Sequence, residues 1–337
     1  MNKIKLLILM SLLIGNRSFS AESVKEKSDK ISIPKAGKTS TISTDIEETE
    51  NSEIEEKEKI KTKILFKKKI KDSEIQWKLV WNDEFDGDDL DKTKWDYWEN
   101  DNPWKNGNYV DENGVLIDQY GFNVKHYYLK DNVKVKNGKL IIELKKEDNK
   151  TVKIDKKERK ILYSSGAIHT KDIYNVKTGK IEMRAAMPKG IGVWPAFWMW
   201  PEGYSQSFPK PAQGEIDIFE IYGEDLRKVT GTLHALKSDN TYESFIGKDL
   251  KISRKKPDLT EFNVYALEWD EKEIKWLFNG KVFKKVSMKK VSRKTENPFN
   301  QPYYLMINVA LQNKTGEDED VHFPTEMKVD YVRVYQK

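Results

Sequence analysis

The sequence predicts an all-β fold, an antiparallel two-sheet β-sandwich, between residues 74 and 337. Three observations predict it: short β-branched and aromatic segments recur, Gly, Asn, Asp and Pro separate them, and no segment has the spacing of a well-formed amphipathic helix. All ten tryptophans lie at Trp77 or later, so the residues that can build a core are confined to this part of the chain. About 260 residues suit one sandwich domain.

Residues 1–20 have the pattern of an export signal. Lys3 and Lys5 precede an apolar run, Leu6–Gly15, and the segment Ser18–Ser20 supplies a small-x-small cleavage site. The run is too short to span a bilayer. We therefore expect a secreted, periplasmic or cell-surface protein without an integral membrane span once the signal is removed; an uncleaved anchor is the alternative.

Residues 21–73 are expected to form a charged, disordered linker. They are rich in Lys, Glu, Ser and Thr and contain one aromatic residue, Phe66, which is too little apolar surface to offset the entropy lost on folding. An exported enzyme with a spacer explains this segment, and so would a surface adhesion protein.

Composition narrows the class of protein further. The chain has no cysteine, so neither disulfides nor thiolate metal sites hold the fold. Its formal charge is +5, from 60 basic and 55 acidic residues, and its basic runs, Lys67–Lys69 and Lys284–Lys290, lack the interleaved aromatics of a nucleic-acid interface. We expect no nucleic-acid partner and a monomeric protein.

Individual strands can be predicted at several points. Lys139–Lys145 alternates apolar and polar residues after an Asn-Gly turn, and Lys328–Tyr335 alternates in the same way. Ile274–Phe278 and Lys281–Val286 flank Asn279-Gly280, a pair that accepts the positive φ angles of a type I′ turn. This last pattern predicts a hairpin.

The segment Gly214–Ile221 contains three acidic residues. Along an extended strand successive side chains point to opposite faces, so Glu215 and Asp217 share a face. Glu220 has the wrong parity to join them. One extra residue at Ile218-Phe219, a β-bulge of the kind found beside active sites, would return it to the acidic face.

Three convergent carboxyl groups suit the cleavage of a glycosidic bond. Such a reaction needs an ionised carboxylate as nucleophile and a protonated carboxyl as acid, about 5 to 5.5 Å apart in a retaining enzyme. Negative neighbours raise the proton affinity of a member of such a cluster. Two alternatives remain at this point, a solvated acidic strand edge and a divalent cation site, although a rigid strand face wraps a cation less well than a loop does.

A tryptophan-rich segment precedes the acidic one. Trp194, Ala196 and Trp198 fall on one face of a predicted strand. Indole rings are suitable platforms for the apolar C–H faces of sugars, and burial in the core is the alternative.

Several segments, taken in order, carry a family resemblance: Trp81–Gly87, Tyr163–Ile168, Gly179–Arg184, Trp194–Trp198, Gly214–Glu220, Gly231–His234 and Val329–Tyr335. On these segments the region from about residue 77 to 337 resembles glycoside hydrolase family 16, the laminarinase-like group of β-glycan endo-hydrolases. The resemblance implies a concave, concanavalin-like jelly roll with a substrate cleft across one sheet.

The resemblance also implies roles for individual residues. Glu215 looks like the catalytic nucleophile, Glu220 the acid/base and Asp217 their electrostatic partner. Substrate-binding positions are expected at Trp194, Trp198 and His234. No cofactor is expected for catalysis, while a structural calcium ion is expected at Glu84, the carbonyl of Gly138, and Asp330.

The expected activity is retaining endo-hydrolysis of a β-linked polysaccharide, with β-1,3- or β-1,3-1,4-glucan the first choice. Departures from the family pattern at Asn106–Tyr109, Ala167, Lys210-Pro211 and Ala310–Asn313 put the linkage in question. The alternatives are hydrolysis of an agar- or carrageenan-type galactan, transglycosylation, and a carbohydrate-binding module without activity.

Overall fold

Two large β-sheets, built almost wholly from antiparallel strand pairs, make up the fold. The computed structural model describes residues 76–98, 107–117, 123–154, 156–202, 214–237, 241–245, 247–253, 258–295, 297–314 and 321–337. The predicted signal, residues 1–20, and the predicted linker, residues 21–73, lie outside the described residues. Trp77–Gln336 belong to one compact unit.

The strands in chain order are β1 (Lys78–Asp83), β2 (Asp96–Tyr97), β3 (Tyr109–Val110), β4 (Leu116–Ile117), β5 (His126–Tyr128), β6 (Val133–Val135), β7 (Leu140–Lys146), β8 (Thr151–Ile154), β9 (Lys157–Lys160), β10 (Tyr163–Ser165), β11 (Ala167–His169), β12 (Asn175–Val176), β13 (Gly179–Ala186), β14 (Val193–Pro201), β15 (Gly214–Glu220), β16 (Lys228–Leu236), β17 (Tyr242–Ser244), β18 (Leu250–Lys251), β19 (Asn263–Trp269), β20 (Glu273–Phe278), β21 (Lys281–Ser287), β22 (Tyr303–Leu311) and β23 (Thr325–Gln336). A 3₁₀ turn at Lys130–Asn132 and a helix of one turn, α1 (Met288–Val291), complete the described elements.

The first sheet has the order β21-β20-β19-β13-β23-β7-β10-β5, with β1 also paired to β23 and β6 to β7. The second sheet has the order β17-β16-β15-β14-β22-β11-β2, with β12 also paired to β22 and β18 to β16. A small third sheet has the order β4-β3-β9-β8. The predicted antiparallel sandwich is therefore confirmed, and β15 lies inside the second sheet, hydrogen-bonded along both of its edges.

The predicted hairpin is formed by β20 and β21. Phe278 pairs with Lys281 across a two-residue turn, in which Asn279 has φ 46° and Gly280 has φ 74°. Positive φ at both turn residues is what a type I′ turn requires, and Asn-Gly adopts it with little strain. The two alternating segments predicted as strands are β7 and β23, and they pair with each other.

A single large apolar core fills the space between the two sheets. The first sheet contributes fully buried residues such as Met183, Leu267 and Trp276, and the second contributes Ile216 and Phe219. Burial of each such side chain stabilises the fold by about 1.5–3 kcal/mol. None of the helices in the described ranges has the length and apolarity to cross a lipid bilayer.

Candidate active site

A β-bulge in β15 sets the direction of the acidic side chains. Asp217 pairs with Thr232 of β16, yet Glu220 pairs with Thr230, so three steps on β15 match two on β16. The pairing with β14 shifts at the same place. Both Ile218 and Phe219 are buried in the core, which confirms the predicted extra residue at this position.

The bulge leaves Glu215, Asp217 and Glu220 close together on the face of the second sheet that points away from the core. Glu215 is half-buried, while Asp217 and Glu220 are 2% and 8% exposed. The charge of Asp217 interacts with each glutamate, and the charge of Glu220 also interacts with Glu215. The three side chains that the sequence singled out thus form one interacting group.

Burial and mutual repulsion favour the protonated form of both glutamates. Burial is the largest cause that raises the pKa of Glu215 and of Glu220 well above the usual value, and the charge of Asp217 is the next. Because the groups are coupled, a proton on Glu220 removes one negative charge and makes ionisation of Glu215 easier. The proton affinities of the two glutamates are thereby separated, so the same cluster can hold one protonated acid and one ionised carboxylate.

His234 contacts the middle carboxylate from the neighbouring strand. It pairs with Glu215 across β15 and β16, and its Nε2 lies 3.2 Å from Asp217 Oδ2. Its Nδ1 lies 2.8 Å from the hydroxyl oxygen of Ser244. A ring held between these two groups can present an N–H to Asp217 while the Ser244 hydroxyl donates to the other nitrogen.

Trp276 supports the acidic strand from the core side. Its indole N–H donates to the backbone carbonyl of Asp217 at 2.7 Å. Gly231 leaves room for this ring, because a Cβ at that position would lie 2.2 Å from Trp276 Cδ1. The backbone of the bulged segment is therefore fixed by a residue of the first sheet.

The comparison with known proteins agrees with this geometry. Residues 122–333 match the sequence profile of the glycosyl hydrolases of family 16. The chain belongs to glycosyl hydrolase family 16. This membership confirms the predicted class of enzyme, a glycosidase that acts on O-glycosyl bonds.

The chain is also similar to named proteins over most of its length. A beta-glucanase of Rhodothermus marinus is 31% identical over 278 residues, which are 79% of this chain and 87% of that protein. The glucan endo-1,3-beta-glucosidase A1 of Niallia circulans is 34% identical over 77% of this chain, but the match spans only 38% of that longer protein. The catalytic domain of the endo-1,3-beta-glucanase (laminarinase) of Thermotoga petrophila superimposes with a TM-score of 0.64 and 32% identity, over 78% of this chain and 98% of that one.

The two tryptophans predicted to bind substrate have different surroundings. Trp198 is half-buried on the same face as the acids, and its indole N–H donates to Asn308 Oδ1 at 2.8 Å. Trp194 is 9% exposed and stacks on Tyr222 with ring centroids 5.8 Å apart. Its polar indole N–H also lowers the pKa of Glu220. Trp198 therefore has the more open ring, and the role of both as sugar platforms stays a prediction.

The predicted calcium ligands lie where β1 and β23 meet. Arg333 donates to both carboxylate oxygens of Glu84, at 2.9 and 2.8 Å, and Arg184 donates to Asp330 Oδ2 at 2.5 Å. The Glu84 carboxylate is thus already engaged, and the backbone carbonyl of Glu84 is a further oxygen donor. Two carbonyls, from Glu84 and Gly138, and the other oxygen of Asp330 are hard oxygen donors of the type that calcium prefers.

Sequence reasoning missed several residues that support the site: Tyr128, Ser244, Trp276, Lys284 and Asn308. All act from strands far away in the sequence, so no local pattern links them to Gly214–Glu220. Asn308 carried a usable signal, because it is a polar residue within the apolar run Tyr303–Leu311. A polar side chain in such a run indicates a site on the sheet face.

Proposed function

We propose that this chain is an exported, endo-acting, retaining hydrolase of β-1,3- or mixed-linked β-1,3-1,4-glucan. The observation that carries the proposal is the cluster of Glu215, Asp217 and Glu220 on one face of the bulged strand. The substrate follows from the relatives, which are named as a beta-glucanase and as endo-1,3-beta-glucanases. Export follows from the signal pattern of residues 1–20.

The reaction would proceed in two displacements. In the first, Glu215 attacks the anomeric carbon while Glu220 donates its proton to the leaving glycosidic oxygen, which gives a covalent glycosyl-enzyme and a free chain end. In the second, Glu220 accepts a proton from water as the water oxygen displaces Glu215. Asp217 lies in contact with His234, and its charge favours the proton on Glu220.

The proposal is tested by reducing-end release from laminarin, lichenan, agarose and carrageenan. Glu215→Gln and Glu220→Gln are expected to lower kcat/KM on the preferred glucan by about 10³-fold or more, since each removes a group that takes part in bond cleavage. Glu271→Gln, which changes an exposed acid, is the matched control and should behave like the unmodified protein.

Three outcomes would contradict the proposal. Unchanged activity in both glutamine variants would exclude the assigned roles, and NMR detection of the α-anomer as the first product would exclude retention. Binding to laminarin without any hydrolysis would favour the carbohydrate-binding module.

We also propose a structural calcium ion held by the carbonyls of Glu84 and Gly138 and by Asp330, with no part in the chemistry. The choice of donors supports it, because carbonyl and carboxylate oxygens are the ligands that calcium prefers. Calcium is expected to raise the Tm of the EDTA-treated protein, and Asp330→Asn should abolish most of that rise. Equal Tm values with and without calcium would contradict the proposal.

A further inference from the structure

Lys284 is a lysine buried in the core behind the acidic strand. It lies on β21, at the edge of the first sheet, and is only 7% exposed. Its ammonium group lies 4.7 Å from the centroid of the Trp276 ring. Lysine is rarely buried to this extent unless its charge has partners.

The ammonium group crosses the core to reach the second sheet. It donates to the backbone carbonyl of Gly231 and, at 2.8 Å, to that of Phe245. Gly231 stands directly opposite the bulge, because its neighbours Thr230 and Thr232 pair with Glu220 and Asp217. The carbonyl of Gly231 points to the outer edge of β16, between the residues that pair with β17 and those that pair with β18, and Lys284 satisfies it there.

Two glycines leave space for this lysine and for its neighbour Trp276. A Cβ on Gly247 would lie 2.8 Å from Lys284 Cε, and a Cβ on Gly231 would collide with Trp276. Trp276 in turn donates to the carbonyl of Asp217. Trp276 therefore holds β15, the bulged strand, and Lys284 holds its neighbour β16 through an adjacent contact.

The charges around Lys284 are mainly negative. Asp249, Asp217 and Glu220 favour its protonated form, whereas Lys290 on α1 opposes it. Burial is the largest effect and lowers the pKa of Lys284 to about 8. Asp249 is also paired to Lys228 at 2.9 Å. At neutral pH Lys284 thus remains a cation behind a group of buried carboxyl groups.

We propose that Lys284 is a positioning residue of the active site: its ammonium group fixes the strand opposite the bulge, and its charge favours ionisation of the catalytic carboxyl groups. The inference rests on the proposed roles of Glu215 and Glu220. A buried positive charge near a carboxyl group favours the ionised form of that group and so lowers its pKa.

The first test compares the pH dependence of kcat/KM on the preferred glucan. Lys284→Met removes the charge and the hydrogen bonds, Lys284→Gln removes the charge but keeps a donor, and Lys285→Met removes the charge of the exposed neighbour. Loss of the charge behind the acids raises their pKa values, so both limbs of the profile should move to higher pH by about half a unit to one unit in the first two variants. The profile of Lys285→Met should match that of the unmodified protein.

Two results of this test would overturn the proposal. A purely structural lysine would lower Tm and leave both limbs in place. A shift in Lys284→Met that is absent in a folded Lys284→Gln would assign the effect to hydrogen bonding and not to charge.

The second test needs no substitution at Lys284 and no activity. In protein with ¹³Cε-labelled lysine, one resonance should titrate near pH 8, and its midpoint should fall in Asp217→Asn, because the charge of Asp217 favours the protonated form of Lys284 and coupling between two charges is reciprocal. An unchanged midpoint would contradict the inference even if the lysine variants did not fold. If the unmodified protein were inactive but the midpoint changed as expected, only the proposed function would be contradicted, and not the inference about Lys284.

Discussion

Glu220 is the clearest case of a single residue whose ionised form destabilises the folded protein and whose bound proton serves the proposed reaction. It is 8% exposed and shares its surroundings with Asp217, and burial together with that charge raises its pKa well above the usual value for glutamate. The folded protein therefore binds a proton at Glu220 more tightly than the unfolded chain does. The same preference that makes Glu220 an acid makes its ionised form a cost to folding.

The substitution Glu220→Gln is expected to stabilise the protein while it removes activity. Since the folded pKa of Glu220 lies above the unfolded one, its contribution to stability is greatest below the unfolded pKa and falls as pH rises towards the folded pKa. The Tm of Glu220→Gln minus that of the unmodified protein should therefore increase as pH is raised from 4 to 8 in thermal unfolding experiments. Glu271→Gln, at an exposed position, should show no such increase; a difference independent of pH for Glu220→Gln would contradict the argument.

At the residue scale, the sequence predicted which side chains meet but not what surrounds them. Spacing along one strand was enough to bring Glu215 and Asp217 together and to require a bulge for Glu220. The groups that tune these acids, such as Trp276 and Lys284, come from the opposite sheet and depend on tertiary packing. The alternation of side chains along one strand carries no information about the residues that the opposite sheet packs against it.

At the scale of elements, the bulge in β15 is the feature on which the site depends. It lets both Ile218 and Phe219 point into the core while Glu220 returns to the acidic face. Phe219 packs against Tyr265 of the first sheet, with ring centroids 4.6 Å apart. The bulge thus adds one apolar residue to the core without moving the acids to opposite faces.

The two-residue period of a strand allows a paired test of the bulge. Deletion of Ile218 would convert the segment into a regular strand that keeps Glu215, Asp217 and Glu220 on one face, so we expect measurable activity with a loss of about 2–5 kcal/mol in stability from the missing core side chain. Insertion of Ala between Asp217 and Ile218 would allow a regular strand in which Glu220 lies four steps beyond Asp217, about 6–7 Å farther from Glu215 than the bulged strand places it, and should abolish detectable activity.

Activity assays on laminarin and urea unfolding curves measure both effects. Equal loss of activity in the deletion and the insertion would show that the distance between the acids along the strand does not determine the site. Full activity in the insertion variant would show that the strand can absorb a second extra residue.

Elements with strong local patterns were predicted well. The β20–β21 hairpin followed from Asn279-Gly280, and β7 and β23 followed from alternation. Strands of two residues, such as β2 and β12, have too few positions to show a period, and the parallel pairing of β5 with β10 has no local sequence signature. These elements are defined by their partners in the sheet.

At the scale of the whole molecule, the described elements from Trp77 to Gln336 form one compact unit around one large core. Both sheets contribute to that core, and the acidic strand lies inside the second sheet with neighbours on either side. The distribution of tryptophan predicts one domain that begins near residue 74. The order of strands within each sheet could not be predicted, because it depends on contacts between distant segments.

A fragment of residues 74–337 is expected to keep the full activity and the Tm of the chain from residue 21 onwards. The reason is that the core and the residues assigned to catalysis lie within this range. Thermal unfolding and kcat/KM on laminarin, measured for both proteins side by side, check the expectation. A Tm lower by more than about 5 °C, roughly 1–2 kcal/mol for a domain of this size, would show that residues 21–73 support the fold.

The contacts of Trp198 have a consequence for the thermodynamics of its predicted role as a sugar platform. Its indole N–H is held by Asn308, and the amide of Asn308 in turn donates to the hydroxyl of Tyr128 at 2.9 Å. A ring oriented by such a relay loses its rotational freedom when the chain folds and not when a polysaccharide arrives. Association can then proceed with a smaller entropic penalty at this position, and more of the contact energy is retained as affinity.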